Sequence, residues 1–361
     1  MSKKIFFTPG PSALYFTVES HIKRALKLQV PEINHRSKQA AGYFQEVTEN
    51  LRALMGIPKG YHIFYLSSAT EIWERLIQNC IQEKSTHLSY GAFSNRFYDF
   101  STKLGYNASS INSALGEIPD FKMNAIDSDT ELISLALNET SSGVTYPVER
   151  IYDLNQHFPD AILAVDGVSA FPVIDIDFSQ IDSAYFSVQK CFGLPAGLGV
   201  WIVNDKCIAK AEKKLKDGQN IGTYQSLPNL LKNAQKYQPT YTTNVLDVYL
   251  LAKVTADMLE KGIDVIRREA TYKSSLLQHM VNEHPDLTHF VNQTELRSKT
   301  VTVANSISDS DYIINELSKK GLVIGNGYGD LKSKQIRIAS FPTHSKELIE
   351  MLVDEINKIS Y

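Results

Sequence analysis

Cysteine is scarce in this chain: Cys80, Cys191 and Cys207 are the three in 361 residues. They are widely spaced and form no CxxC pair. That excludes a disulfide framework and the usual zinc spacing, and it points to a reducing compartment. The histidines show neither HxH nor HExxH spacing, so no metal site is expected. Long apolar runs are also missing. None approaches the roughly 18 residues that cross a bilayer. The N-terminal run Ile5-Phe6-Phe7 is far shorter than a secretory signal core. A basic excess is absent too: the net charge is -3, which argues against a dedicated nucleic-acid binder. There is no internal repeat and no low-complexity tract. The expectation is a soluble, cytoplasmic protein with no membrane or nucleic-acid partner. Its ordinary 43% hydrophobic and 21% charged content suits a large unit and a small one.

What is present is an alternation of short apolar runs with helical periodicity. Ile63-Phe64-Tyr65-Leu66, Leu132 to Leu137, Ala161 to Val165 and Ala184-Tyr185-Phe186 read as buried strands, and Glu71 to Ile81 as a helix. Continuous apolar strands between helices predict a mostly parallel sheet covered on both faces. Ahead of it, Pro9-Gly10-Pro11-Ser12 is a rigid turn. The spacing predicts a helix with Val18, Ile22, Ala25 and Leu26 on one face. A second follows, capped by Ser37, with Phe44, Val47, Leu51 and Leu54 inward and a stop at Gly56 and Pro58. After Trp201 a charged helix, Lys206 to Asp217, leads into a polar, turn-rich stretch, Gly218 to Thr243. Asn244 then caps a helix from Val245 to Lys261, and another runs from about Asp264 to Glu283. Short strands and helices complete a small α+β unit. The expected division is a large α/β domain, 16–245, a small domain, 246–361, and an arm, 1–15, packing on the small domain or on a partner subunit.

In open parallel sheets ligands collect beyond the carboxyl ends of the strands. Four polar elements fall there: Ser68-Ala69-Thr70, Asn138-Glu139-Thr140, Asp166 and Lys190. Each has two readings. Lys190 is a surface lysine at a strand end, or a desolvated amine that forms a Schiff base. Asp166 caps the next segment, or pairs with a buried cation. Ser68 is a plain helix N-cap, or part of an anion cup made by free backbone N–H groups and the helix dipole. Lys190 lies about one connection and one strand after Asp166, so the two are expected on neighbouring strands. An acid for a pyridinium nitrogen and a lysine for an aldehyde together are what pyridoxal 5'-phosphate chemistry requires.

The order of elements resembles the class V branch of fold-type I pyridoxal-phosphate enzymes, and within it the phosphoserine aminotransferases. The stretches that carry the resemblance are Thr8-Pro9-Gly10-Pro11-Ser12, His35-Arg36-Ser37, Gly91-Ala92-Phe93, Asn138-Glu139-Thr140, Asp166, Gln189-Lys190, Gly193 to Leu198 and Ile336 to Ser340. The resemblance implies that Lys190 carries the cofactor and moves a proton, and that Asp166 pairs with its ring nitrogen. It implies that Thr140 bonds the phenolic oxygen, that Ser68, Ala69, Thr70 and Gln189 hold the phosphate, and that Phe93 stacks on the ring where the family usually has tryptophan. Tyr241 and Thr242 fall where the family takes phosphate contacts from the other subunit of a homodimer. Arg337 matches the arginine that clamps the substrate α-carboxylate; the alternative is an edge-strand arginine paired with a surface acid. His35 and Arg36 match a pair that binds the substrate's phosphate. The family's second such pair has no counterpart between Gly325 and Lys332. The implied reaction is transfer of the amino group of O-phospho-L-serine to 2-oxoglutarate, in serine synthesis. Two neighbours of that reading share the cofactor: a class V aminotransferase for another small amino acid, and a lyase such as a cysteine desulfurase, which needs a mobile reactive thiol. A dinucleotide dehydrogenase would need GxGxxG at the first strand–helix turn, and Gly193, Gly197 and Gly199 do not supply it.

Overall fold

The computed structural model describes residues 4–359. Seven strands make the larger sheet, in the spatial order Tyr61–Leu66, Gly199–Asn204, Ser183–Ser187, Ile162–Asp166, Leu132–Ala136, Lys84–Ser89 and Asn107–Asn112. Gly199–Asn204 runs antiparallel to both neighbours, and the other pairings are parallel. Leu132–Ala136 and Ile162–Asp166 are buried along their whole length, as strands with helices on both faces must be. This is the α/β fold expected, and no described helix is long and apolar enough to cross a membrane.

One central strand could not be read from hydrophobicity. Lys84–Ser89 has the sequence KSTHLS, yet all but Lys84 is buried. Its polar groups satisfy one another and their neighbours. Ser85 Oγ lies 2.9 Å from both His87 Nε2 and Ser101 Oγ. Thr86 pairs with Ser109 and Thr130, and His87 Nδ1 lies 2.6 Å from Ser134 Oγ. Burial pushes the His87 imidazole down to about 3, so it stays neutral and does not have to be buried as a cation.

Five strands form the smaller sheet, ordered Ile5–Phe7, Leu322–Asn326, Gln335–Ala339, Val301–Ser306 and Leu287–His289. The N-terminal strand joins it by parallel pairing of Ile5 with Leu322. Helices Ile263–Glu283, Ser310–Lys319 and Lys346–Asn357 supply its core with Leu277, Ile313 and Leu352.

Three elements depart from the sequence reading. Val245–Lys261 packs on Lys38–Met55 and sends Val248, Leu251, Val254 and Met258 into the core of the large sheet. Asn50 Nδ2 donates to Ala252 O at 3.0 Å, and Lys253 pairs with Glu46 at 2.6 Å. We therefore place the domain boundary at Gly262 instead of after residue 245; its φ of 86° lets the chain turn out of the helix. Leu26 is 60% exposed, because the helix Val18–Lys27 buries only its Val18 and Ala25 edge. The stretch expected to be irregular, 218–243, contains a helix at Leu227–Ala234 that buries Leu227 and Leu230. Leu251→Ala should cost about 3 kcal/mol as a core cavity, and Leu215→Ala, on the exposed face of the helix Asp205–Lys216, less than about 0.5 kcal/mol. Urea unfolding of the two variants checks this assignment.

Candidate active site

The strand Ser183–Ser187 ends three residues before Lys190. The loop that follows is closed by Gly193 N to Lys190 O at 2.9 Å and Leu194 N to Val188 O at 3.1 Å. These bonds turn Lys190 inward, where it is only 6% exposed. Its Nζ donates to Thr140 Oγ1 at 2.8 Å and lies 5.0 Å from the centre of the Phe93 ring. Gly10 packs on the aliphatic stem: a Cβ there would stand 2.7 Å from Lys190 Cε, and the φ of 140° is one that side chains rarely adopt. Burial pushes the Lys190 amine down to about 8, while nearby Asp166 opposes the shift. Of its two readings, the surface lysine is excluded.

Asp166 ends the neighbouring strand, which pairs in parallel with that of Lys190. Its Oδ1 accepts from Val168 N at 2.9 Å, so the local turn-capping role is real. Burial nonetheless pushes its carboxyl up to about 7, against the pull of the Val168 N–H and of Lys190. The residues bring the acid and the amine into one cavity of about 150 Å³, together with Ala69, Thr70, Phe93, Thr140 and Gln189. A roomier cavity of about 190 Å³ lies beside the edge strand Tyr61–Leu66, but neither lysine nor carboxylate lines it. Its Arg52 is already engaged with the carbonyls of Pro58 and Tyr61.

Ser68 does not line the cavity; its Oγ accepts from Glu71 N at 3.1 Å and caps the helix Ala69–Cys80. The plain N-cap reading holds for that side chain. The N-terminus it fixes still points its N–H groups at the cavity edge, where Ala69 N donates to Ser187 Oγ at 2.8 Å. Two lining residues with a polar hydrogen to offer, Ser187 and Trp73, had not been singled out from sequence. Ser187 is the last residue of its strand, and a hydroxyl three positions before the lysine was a usable signal. Trp73 lies one turn into the helix after Thr70 and is 3% exposed. Its indole N–H has no acceptor at hydrogen-bond distance, although it faces Asp166 and Tyr185 closely enough to lower the pKa of both. Nothing in its helical spacing distinguished it from a core residue.

Arg337 sits at the rim. The strand that carries it is internal to the smaller sheet, so the edge-strand reading fails. Its Nε donates to Asn326 O at 2.6 Å and its Nη1 to Thr140 O at 3.3 Å. Both acceptors are neutral carbonyls, and desolvation holds its pKa below the usual arginine value. His35, Arg36, Tyr241 and Thr242 do not line the cavity of their own chain. Arg36 is exposed, and His35 Nε2 is buried without a partner. Tyr241 packs edge-on against Tyr224 at 5.9 Å.

A buried lysine beside a buried aspartate at the carboxyl edge of such a sheet matches one family. The profile of aminotransferase class-V fits residues 11–332, and the chain belongs to that family: it is an aminotransferase. The chain is 43% identical to the phosphoserine aminotransferase SerC of Cytophaga hutchinsonii ATCC 33406, with a TM-score of 0.96 and all of both chains covered. It is 27% identical over 331 residues to the phosphoserine aminotransferase of Rhodococcus jostii strain RHA1, covering 90% of this chain and 87% of that one. An aspartate aminotransferase from Thermus thermophilus shares the fold, with a TM-score of 0.86 at 20% identity over 98% of each chain. Lys190→Met should raise the pKa of Asp166 further, because the neighbouring cation that lowers it is removed. A carbon-13 NMR titration of the carboxyl group measures this.

Proposed function

We propose that this chain is a pyridoxal 5'-phosphate-dependent aminotransferase that converts O-phospho-L-serine and 2-oxoglutarate to 3-phosphohydroxypyruvate and L-glutamate. The observation that carries the reading is the desolvated pair Lys190 and Asp166 on adjacent strands, with Arg337 bonded to the carbonyl of Thr140 beside them and in no direct ion pair among the described residues. The residues fit the cofactor. The N-terminus of Ala69–Cys80, with Ser187 and Gln189 beside it, suits the phosphate, and Phe93 offers a ring face. Asp166 would hold the proton on the ring nitrogen, and its buried carboxyl needs the positive charge that such a partner brings. When bound, the cofactor supplies an electron sink for the bond broken at the substrate's α-carbon. Lys190 would hold the cofactor and then carry the α-proton, a task its lowered pKa suits. Thr140, already bonded to Lys190, would orient the amine. Arg337 would take the α-carboxylate through its guanidinium edge.

Phosphoserine as the donor is supported by the 43% identity to SerC over the full length of both chains. A second reading, transamination of another small amino acid, is favoured by one observation. The stretch from Gly325 to Lys332 presents Tyr328 where the resemblance implies a second basic pair. A desulfurase is disfavoured: burial pushes the Cys191 thiol up to about 12, and Cys80 and Cys207 are also buried. The three free, buried thiols suit a cytoplasmic setting.

A homodimer is part of the proposal. Leu14, Phe16, Leu26 and Leu28 are 46%, 74%, 60% and 48% exposed, an apolar patch on the arm and first helix that a second copy would cover. His35, Arg36, Tyr241 and Thr242, which miss their own cavity, would then serve the neighbouring one.

A screen of amino acids for loss of the lysine-bound cofactor absorbance tests the donor. Arg36→Ala should weaken the response to phosphoserine at least ~10-fold more than to alanine; equal loss would remove Arg36 from the phosphate pocket. Lys190 would take up an aldehyde only in its neutral form, because the protonated amine has no free electron pair. Because its pKa is about 8 instead of 10.5, loading of the empty protein should accelerate up to about pH 8 and then level off. Lys190→Ala should abolish the absorbance, and a loading rate still climbing towards pH 10 would contradict the lowered pKa.

A further inference from the structure

Tyr328 lies in the turn between Leu322–Asn326 and Gln335–Ala339 of the small domain. Its ring centre is 5.4 Å from the guanidinium carbon of Arg337 and 5.8 Å from the ring centre of Phe93. Phe93 in turn lies 5.0 Å from Lys190 Nζ. Lys190, Phe93, Tyr328 and Arg337 therefore form one unbroken row from the large domain to the small. Arg337 is already fixed along its edge by the carbonyls of Asn326 and Thr140, and those bonds use Nε and Nη1. Nη2 has no protein partner among these bonds. The Tyr328 ring, over which the guanidinium lies, is the contact on its face. Stacking on an aromatic face is a contact that arginine makes well and lysine makes poorly.

We propose that Tyr328 is a positioning residue for the substrate α-carboxylate. Its ring holds the Arg337 guanidinium flat and ties that grip to Phe93, at the place where the resemblance implies a basic pair for the substrate's far end. Two consequences follow from the geometry. The aromatic ring, not the hydroxyl, does the holding. The effect is common to every substrate with an α-carboxylate, amino donors and oxo acids alike, because Arg337 faces the end they share. The inference rests on the reading of Arg337 as the carboxylate clamp.

Glutarate, a dicarboxylate with no amino or oxo group, is titrated calorimetrically into the cofactor-loaded enzyme. Tyr328→Leu and Tyr328→Gln should each weaken its binding ~10-fold, the scale of a partly desolvated cation–π contact, and Tyr328→Phe should restore it to within ~2-fold. In an Arg337→Lys background, Tyr328→Leu should add less than ~2-fold. In turnover, Tyr328→Leu should raise the KM for phosphoserine and for 2-oxoglutarate by the same factor, with a much smaller change in kcat. Unaltered glutarate affinity in both Tyr328→Leu and Tyr328→Gln would overturn the proposal. So would an undiminished effect in the Arg337→Lys background, or a KM change confined to phosphoserine. A wild-type protein that takes up no cofactor would instead overturn the functional reading itself.

Discussion

Two opposite charges share one dry corner of this molecule, and much of the structure serves to keep them there. An amine and a carboxylate lose several kcal/mol of hydration each on burial, and their attraction alone need not offset it. Here the cost shows directly: Lys190 and Asp166 are both shifted toward their neutral forms. The surroundings compensate in part. Thr140 accepts from the amine, Val168 N–H donates to the carboxylate, and the face of Phe93 lies against the cation. Such a site is unfavourable when empty and, on the function proposed above, would suit a ligand with an aldehyde at one end and a basic ring nitrogen at the other. The stability sacrificed at the sheet edge is returned as affinity.

A second buried lysine braces the segment of the small domain that abuts this corner. Lys273 is 1% exposed and donates to the carbonyls of Phe341 at 2.7 Å and His344 at 2.8 Å. Burial pushes it down to about 8, and carbonyl oxygens partner it where a carboxylate might be expected. His344 reaches back to Phe6 O at 2.9 Å, and the side chain of Thr343 crowds Gly193 in the loop after Lys190. Any shift of the helix Ile263–Glu283 is therefore felt at both the N-terminal strand and the lysine loop.

Much of this was legible in the residues. Continuous apolar strands foretold the parallel sheet, and the polar residues at their ends, Thr70, Thr140, Asp166 and Lys190, do line one cavity. The readings failed where burial is decided by partners and not by side-chain type. Lys84–Ser89 is a core strand made of hydroxyls and a neutral imidazole, which only the neighbouring strands and helix can satisfy. Trp73 looked like any core aromatic on a helix face. The helix Val245–Lys261 carries an apolar stripe that would suit either domain, and only its fit against Lys38–Met55 assigned it. Residues placed by the resemblance alone, such as Thr242 and Arg36, do not line the cavity of their own chain, so no local pattern could have tied them to it.

The pairing of Ile5–Phe7 with Leu322–Ile324 also governs how the protein is made. The two strands are more than 300 positions apart, so the earlier one is made long before the partner it pairs with. The large sheet, whose strands all lie between Tyr61 and Asn204, is complete long before that. During this interval Phe6 and Phe7 form a short, apolar, unpaired strand, and the smaller sheet lacks its edge. Closing so long a loop is slow compared with local folding. The nascent large domain therefore carries an unpaired apolar segment until Leu322–Asn326 emerges to take it up.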